Sequence, residues 1–244
     1  MSQRLLALDS STDVLALAVS DGDREWVREV AGGAQASSRI IGLALEGLAA
    51  CGLRPQQLDA VAFAAGPGAF TGLRCACAVA QGLAFAAGKP VLAIDSLMIV
   101  ADAARPLHAL DDGHDVWVAM DARMEEVYAA HYQFQHARWH VLKAPALYTL
   151  PALAAWWEAA PPQRVAGNAA SAFGARLPVG GAQTLSSPEH TQRAQALLRL
   201  ARHGLTDGAT LDPVHAAPLY LRDKVALTTD ERAAARAARE RSGA

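Results

Sequence analysis

The stretch from residue 58 to residue 88 constrains the fold most strongly. It predicts a buried strand over Leu58–Ala65, a turn at Gly66-Pro67-Gly68, and a helix that Thr71 begins. Glycine accepts positive φ and lets the backbone approach another group closely. Proline fixes a turn geometry, and the Thr71 hydroxyl is suited to cap free N–H groups of the helix. We therefore expect a tight strand-to-helix connection here.

The helix that follows is almost free of polar side chains. Between Gly72 and Gly88 it carries one charge, Arg74, and one neutral polar side chain, Gln81. A spacing of four residues aligns a row of small side chains: Gly72, Ala76, Ala80, Ala84 and Gly88. A helix that is apolar nearly all round must be covered on more than one side. Either it lies in the middle of its own domain or a partner covers it, and the run is too short to favour a membrane span.

Composition narrows the class of protein. The chain has 244 residues, 52% of them hydrophobic and 19% charged, which is typical of one or two globular domains. A net charge of −2 provides no basic face for binding free nucleic acid. The three cysteines form no C-x-x-C pair, and the N-terminus lacks a signal-peptide pattern. We expect a cytoplasmic protein that does not bind a membrane.

The first half of the chain predicts a mixed sheet with helices packed on it. Three strands over Leu5–Leu8, Val14–Val19 and Glu25–Val30 precede a helix over Ser37–Ala50, and the order β-β-β-α-β-α-β follows. The helix has two apolar stripes. We predict that the larger stripe faces the core (Ile41, Leu45 and Leu48) and that the smaller one faces a partner (Ile40, Leu43, Ala44 and Gly47).

The second half repeats this order loosely, with no repeat at the level of residues. Strands are predicted from Val116 onward, then a helix over Leu150–Ala159, a strand over Arg164–Gly167 and a helix over Glu189–Arg202. We divide the chain into an N-terminal lobe, a C-terminal lobe and an Ala- and Arg-rich tail, over residues 1–108, 109–230 and 231–244. The tail has no apolar stripe, so we expect it to be frayed.

Two motifs have both a structural and a ligand-binding interpretation. The spacing Gly66-x-Gly68-x-x-x-Gly72 lacks the lysine of a phosphate-binding loop, although the N–H groups that open the helix could attract an anion. Asp9, followed by Ser10, Ser11 and Thr12, either stabilises a turn or helps to order magnesium. We favour the structural interpretation of both motifs.

Catalytic and metal-binding patterns are weak. All eight histidines lie beyond residue 107, and His136 and His140 have helical spacing within a segment that reads as strands and a turn. Ser10, Ser11, Cys75 and Cys77 have no neighbouring base in the sequence. We predict no catalytic residue, no metal ligand and no cofactor.

Three segments together resemble one family. They are residues 8–12 (Leu-Asp-Ser-Ser-Thr), residues 66–74 (Gly-Pro-Gly-Ala-Phe-Thr-Gly-Leu-Arg), and residues 218–222 (Pro-Leu-Tyr-Leu-Arg) with Val225-Ala226. Over nearly its full length the chain resembles the bacterial TsaB (YeaZ) family. The resemblance implies an α/β fold of two actin/Hsp70/sugar-kinase-like (ribonuclease H-like) lobes, with mixed sheets flanked by helices.

The resemblance also implies a function. Members of this family act as the non-catalytic partner of TsaD in forming N6-threonylcarbamoyladenosine at position 37 of tRNAs that read ANN codons. The expected partners are TsaD and the ATPase TsaE, with tRNA reached only through the complex. A homodimer through the same helices that competes with the hetero-complex, and a stand-alone ATP-binding or metallopeptidase-like enzyme, remain as alternatives.

The predicted partner surface lies on the two helices of the first lobe. Its residues are Ile40, Leu43, Ala44, Gly72, Leu73, Ala76, Cys77 and Ala80. Two helices from each partner would form a four-helix contact. On this hypothesis Ala76→Arg or Ala80→Glu weakens association and leaves the isolated fold largely intact.

Overall fold

The computed structural model describes residues 3–105, 113–185 and 192–222. Its first lobe contains a five-stranded sheet of order β3-β2-β1-β4-β5. Strands β1, β2 and β3 are antiparallel, whereas β4 and β5 run parallel to β1. The elements are β1 (Leu5–Asp9), β2 (Val14–Ser20), β3 (Glu25–Ala31), α1 (Ala36–Ala50), β4 (Ala60–Gly66), α2 (Phe70–Ala87), β5 (Val91–Asp95) and α3 (Ser96–Ala104).

The second lobe repeats the same topology. Its sheet has the order β10-β9-β6-β7-β8, which is the first sheet's order read from the other edge. The elements are β6 (His114–Asp121), β7 (Glu126–Gln135), β8 (Arg138–Thr149), α4 (Leu150–Ala159), β9 (Arg164–Ala166), α5 (Ala169–Phe173), β10 (Gln183–Leu185) and α6 (Arg193–Thr206). The chain thus traces β-β-β-α-β-α-β-α twice. The predicted fold of two actin-like lobes with mixed sheets flanked by helices is confirmed.

The last helix of each lobe packs against the sheet of the other lobe. Apolar residues of α6, among them Leu197 and Ala201, are buried against β1, β2 and β4. Leu97 and Val100 of α3 are buried against the second sheet. This exchange buries apolar surface from both lobes in one interior, which stabilises their relative position.

Helices α1 and α2 cover the opposite face of the first sheet. They contact each other and pack over β1 and β4 with a common set of buried residues. Helix α2 begins at Phe70, and Ala69 occupies the N-cap position. Thr71 therefore lies inside the first turn, and the prediction that it caps the helix was wrong. Among the described residues α2 is the one helix whose length and composition would suffice to cross a membrane. Here one side of it packs on β4.

Candidate functional site

The glycine turn before α2 packs directly on the turn between β1 and β2. A Cβ atom added to Gly72 would lie 1.7 Å from the carbonyl oxygen of Ser10, and one added to Gly68 would lie 2.5 Å from that of Ser11. The Ser10 hydroxyl donates to the Gly72 carbonyl at 2.7 Å, and the Ala69 N–H donates to the Ser11 carbonyl at 2.7 Å. Glycine is required because no side chain fits between the two backbones. The predicted tight strand-to-helix turn is confirmed.

Asp9 is fully buried and paired with Arg193 at the start of α6. The Arg193 guanidinium donates to Asp9 Oδ2 from Nη2 at 2.6 Å and from Nε at 3.0 Å. Nη2 also donates to the Ser11 hydroxyl, and the Ser11 N–H donates to Asp9 Oδ1 at 2.8 Å. The turn-stabilising role predicted for Asp9 is therefore confirmed. Its positive partner, contributed by the second half of the chain, was not foreseen.

A cavity of about 360 Å³ lies between the lobes beside this ion pair. Its walls come from the turns at residues 11–13 and 67–70, from the N-terminal end of α3, and from residues 120–123 and Asn168 of the second lobe. Residues 219–222 close one side and connect the lobes. The Leu219 N–H donates to the Ala65 carbonyl at 2.7 Å, and Arg222 donates to the Ala122 carbonyl at 2.8 Å and pairs with Glu126.

The outward faces of α1 and α2 form a second candidate site, which we call the outer helix surface. Ile41 and Leu45 of α1 are each 51% exposed, and Phe85 of α2 is 78% exposed. Two charged residues, Glu46 and Arg74, are also exposed on these helices. The remaining exposed residues are small: Ser37, Ser38, Gly42, Ala49, Ala50, Thr71, Ala78, Gly82 and Ala86. Glu46 pairs with Arg28 at 3.0 Å. Large apolar side chains exposed on two helices in contact favour a protein partner.

The two stripes of α1 are largely arranged opposite to the prediction, although Leu48 is buried in the core as predicted. Ile40 and Ala44, expected to meet a partner, are completely buried, whereas Ile41 and Leu45, expected in the core, are half exposed. The helix lies close to the sheet: a Cβ on Gly47 would lie 2.5 Å from the Trp26 ring. The stripe with the smaller side chains permits this approach, so Ile41 and Leu45 of the bulkier stripe face outward. Leu43 lies between the two and is half-buried.

The small-residue row of α2 also faces inward. Ala76 and Ala80 are completely buried, Leu73 and Cys77 nearly so, and Gly72 is partly exposed at the β1–β2 turn. The expectation that Ala76→Arg or Ala80→Glu would leave the fold intact was therefore wrong, because a charge at either position has no access to water. The helix is nevertheless not enclosed, since its opposite face is exposed and carries only one charge, Arg74.

Comparisons with known proteins identify the family. Residues 32–228 match the family model of TsaD, tRNA N6-adenosine threonylcarbamoyltransferase. The solved structure of YeaZ from Pseudomonas aeruginosa is 31% identical, with a TM-score of 0.77 over 90% of this chain and 100% of that one. The chain belongs to the TsaB (YeaZ) family. Curated TsaB biosynthesis proteins are similar too. The Haemophilus influenzae protein is 44% identical over 51% of this chain and 51% of its own, so the match spans about half of that relative's length. The Escherichia coli protein is 29% identical over 91% of this chain and 96% of its own.

The residues that carry the TsaB resemblance meet in space. The Gly66 position allows no side chain because the Leu219 carbonyl would lie 2.6 Å from its Cβ. Arg74 donates to the Tyr220 hydroxyl at 3.0 Å, and its guanidinium carbon lies 3.9 Å from the centre of the Phe70 ring. The glycine segment and the segment at 218–222 therefore stabilise one another. Val225 and Ala226, the last part of the resemblance, lie outside the described residues.

The histidines and cysteines considered above as metal ligands or nucleophiles lie in a turn, on a strand or in a packed helix. His136 has φ of 51° in the turn between β7 and β8, and His140 is exposed on β8. Across the described ranges, no three His, Cys, Asp or Glu side chains cluster as metal ligands would. Burial raises the pKa of the Cys75 and Cys77 thiols. This disfavours the reactive thiolate and agrees with a packing role.

Proposed function

We propose that this chain is the non-catalytic partner of a TsaD-type subunit in N6-threonylcarbamoyladenosine formation at position 37 of tRNAs that read ANN codons. Its relatives are described as tRNA threonylcarbamoyladenosine biosynthesis proteins, and the matching family model is described as the threonylcarbamoyltransferase TsaD. The chemistry would belong to the TsaD-type subunit. This chain would hold it in a competent arrangement and help to recruit a TsaE-type ATPase, with tRNA reached only through the complex.

The observation that carries the proposal is the outer helix surface. Ile41, Leu45 and Phe85 expose apolar side chains on two helices that lie next to each other. Two such helices, met by two from a partner, form a four-helix contact whose apolar residues leave water together. A second copy of the chain could dock through the same residues, so we also propose that a homodimer and the hetero-complex exclude one another.

The experiment compares exposed apolar residues inside and outside the outer helix surface. Leu45→Arg and Phe85→Asp should reduce co-purification with a TsaD-type subunit at least tenfold, because each buries a charge in the contact. Leu142→Arg is the control, since Leu142 is 50% exposed on β8 of the other lobe. All three variants should unfold at the parent's denaturant concentration.

Two results would contradict the proposal. If both α1 and α2 variants co-purified as the parent does, the contact would lie elsewhere. If they assembled normally while the complex lost modification activity, the role would be catalytic or tRNA-binding. Size-exclusion chromatography of the chain alone should show less dimer for the same variants.

A further inference from the structure

A second cavity, of about 280 Å³, lies between α3, α6 and the turn from β7 to β8. It shares none of its lining residues with the cavity beside Asp9. Its walls combine aromatic side chains, Phe134 and Trp139, with arginine, aspartate and histidine side chains from both lobes. A concave site with a few polar groups among apolar ones has the general character of a small-molecule site.

Arg105 follows α3 and supplies the unsatisfied polar group of this cavity. Its side chain is only 9% exposed, and its guanidinium carbon lies 4.3 Å from the centre of the Phe134 ring. Nε and Nη1 are buried without a hydrogen-bond partner among the residues that the structure describes. Unpaired donors on a buried charged group are costly, and few occur in folded proteins.

The carboxylates nearby are already occupied. Asp102 accepts from Trp139 at 2.9 Å and from Arg199 at 2.7 Å, while Arg105 Nη2 reaches it only at 3.6 Å. Asp95 accepts from the N–H groups of Leu97 and Met98 and from the Tyr132 hydroxyl. Asp102 is thus shared by the guanidinium groups of Arg199 and Arg105, and Nε and Nη1 of Arg105 remain without an acceptor among the described residues.

The remaining polar groups at the rim are an ion pair and a histidine. Arg138 pairs with Asp207 at 3.4 Å, and that aspartate is 54% exposed. Nδ1 of His203 is buried without a partner in the described part of the chain. Burial lowers the His203 pKa, so the neutral ring has one N–H to donate. The three aspartates that line the cavity thus have other partners, and Nε and Nη1 of Arg105 have no acceptor among them: Asp95, Asp102 and Asp207.

We propose that this cavity binds a small oxyanion, a carboxylate or a phosphate group, through Arg105. The anion would accept hydrogen bonds from Nε or Nη1 of Arg105. It would also balance the charge of this guanidinium, which has only a share of the Asp102 carboxylate because Arg199 pairs with it too. Arginine is well suited to both anions because its planar N–H groups match their oxygen atoms. The site is separate from the outer helix surface, so its test does not depend on the proposed function.

The test is calorimetry on the full chain with inorganic phosphate and with acetate, each against chloride at matched ionic strength. Phosphate binding alone would assign the site to phosphoryl groups, and acetate binding alone would assign it to carboxylates. Arg105→Met keeps the apolar stem and removes the donors, so binding should fall at least tenfold. Arg176→Met is the matched control outside the cavity, and it should retain binding within about threefold, since that exposed side chain pairs with Glu125 and does not line the cavity.

A second measurement does not depend on a variant that folds. In crystals of the unaltered chain soaked with selenate, an anomalous peak should lie within hydrogen-bond distance of Arg105 Nε or Nη1. The proposal is overturned if neither anion binds more tightly than chloride, if Arg105→Met binds as the parent does, or if the cavity holds only ordered water.

Discussion

The two lobes share one topology but differ in the helices that cover their outer faces. In the first lobe, α1 and α2 have 15 and 18 residues and expose Ile41, Leu45 and Phe85. In the second lobe, α4 and α5 have 10 and 5 residues. Every residue of α4 is described, and none of its exposed side chains is a large hydrophobic one, because Leu150, Leu153 and Trp157 face the sheet.

This difference teaches where a duplicated fold can acquire a binding surface. Both lobes bury a complete core, so the fold itself does not require the apolar exposure on α1 and α2. Exposure of that size on the covering helices of one lobe, and not on α4 of the other, is typical of an interaction site. The inner faces of these helices fill the core with alanines and a few leucine and isoleucine side chains, and Ile41, Leu45 and Phe85 remain available for a contact with another protein.

The largest expected effect separates the two faces of α2. Ala80→Glu places a carboxylate at a completely buried position and should lower the free energy of unfolding by about 4 kcal/mol or more. Ala78→Glu, two residues away on the exposed face, should change it by less than about 0.5 kcal/mol. Urea unfolding measures both.

The same substitution in the second lobe sharpens the comparison. Ala155→Glu lies on the exposed face of α4 and should change neither the stability nor the association with a TsaD-type subunit. Ala78→Glu should weaken that association and leave the stability nearly unchanged. Equal loss of binding in Ala78→Glu and Ala155→Glu would show that the lobes do not differ in this respect.

The next effect concerns the ion pair that joins the lobes. Arg193→Met leaves the buried Asp9 carboxylate without its partner and should cost about 3–5 kcal/mol of unfolding free energy. Asp9→Asn combined with Arg193→Met removes both charges and should recover much of the loss. A double variant as unstable as the sum of the two single variants would contradict the ion-pair interpretation.

The smallest effect is a pH dependence at a second contact between the lobes. Burial raises the pKa of Asp95, which accepts from the Tyr132 hydroxyl at 2.5 Å. The folded protein therefore binds this proton more tightly than the unfolded chain, and the stability that protonation adds is lost as pH rises through the raised pKa. Asp95→Asn should remove this dependence on pH. The expected loss is about 1.4 kcal/mol of unfolding free energy for each unit by which the pKa of Asp95 differs between the folded protein and the unfolded chain.

Urea unfolding of the parent and of Asp95→Asn between pH 4 and pH 7 measures the dependence. The parent should lose stability relative to the variant as the pH increases. A difference that stays constant over this range would show that Asp95 does not titrate differently in the folded protein.

Sequence patterns predicted most elements of both lobes, including α4 at its observed bounds, and missed the helix that follows β5. The strand, glycine turn and helix between residues 58 and 88 were predicted because turn residues separate two long apolar runs. Helix α3 was missed, since seven of its nine residues are buried between the two sheets and it has no polar face to reveal its period. Helix α6 was predicted to end at Arg202 and continues to Thr206, while its predicted start at Glu189 lies outside the described residues. The lobe boundary at residues 108 and 109 and the tail at residues 231–244 lie outside them too.

The sequence by itself determined the fold class, the family and the presence of a nearly uncharged helix in the first lobe. Short-range chemistry is enough for these, because turn residues and apolar periods are local. Only the tertiary structure decided which faces of α1 and α2 are exposed, since that depends on how closely each helix approaches the sheet. It also decided that Arg193 neutralises Asp9, because a contact between residues 184 positions apart leaves no local pattern.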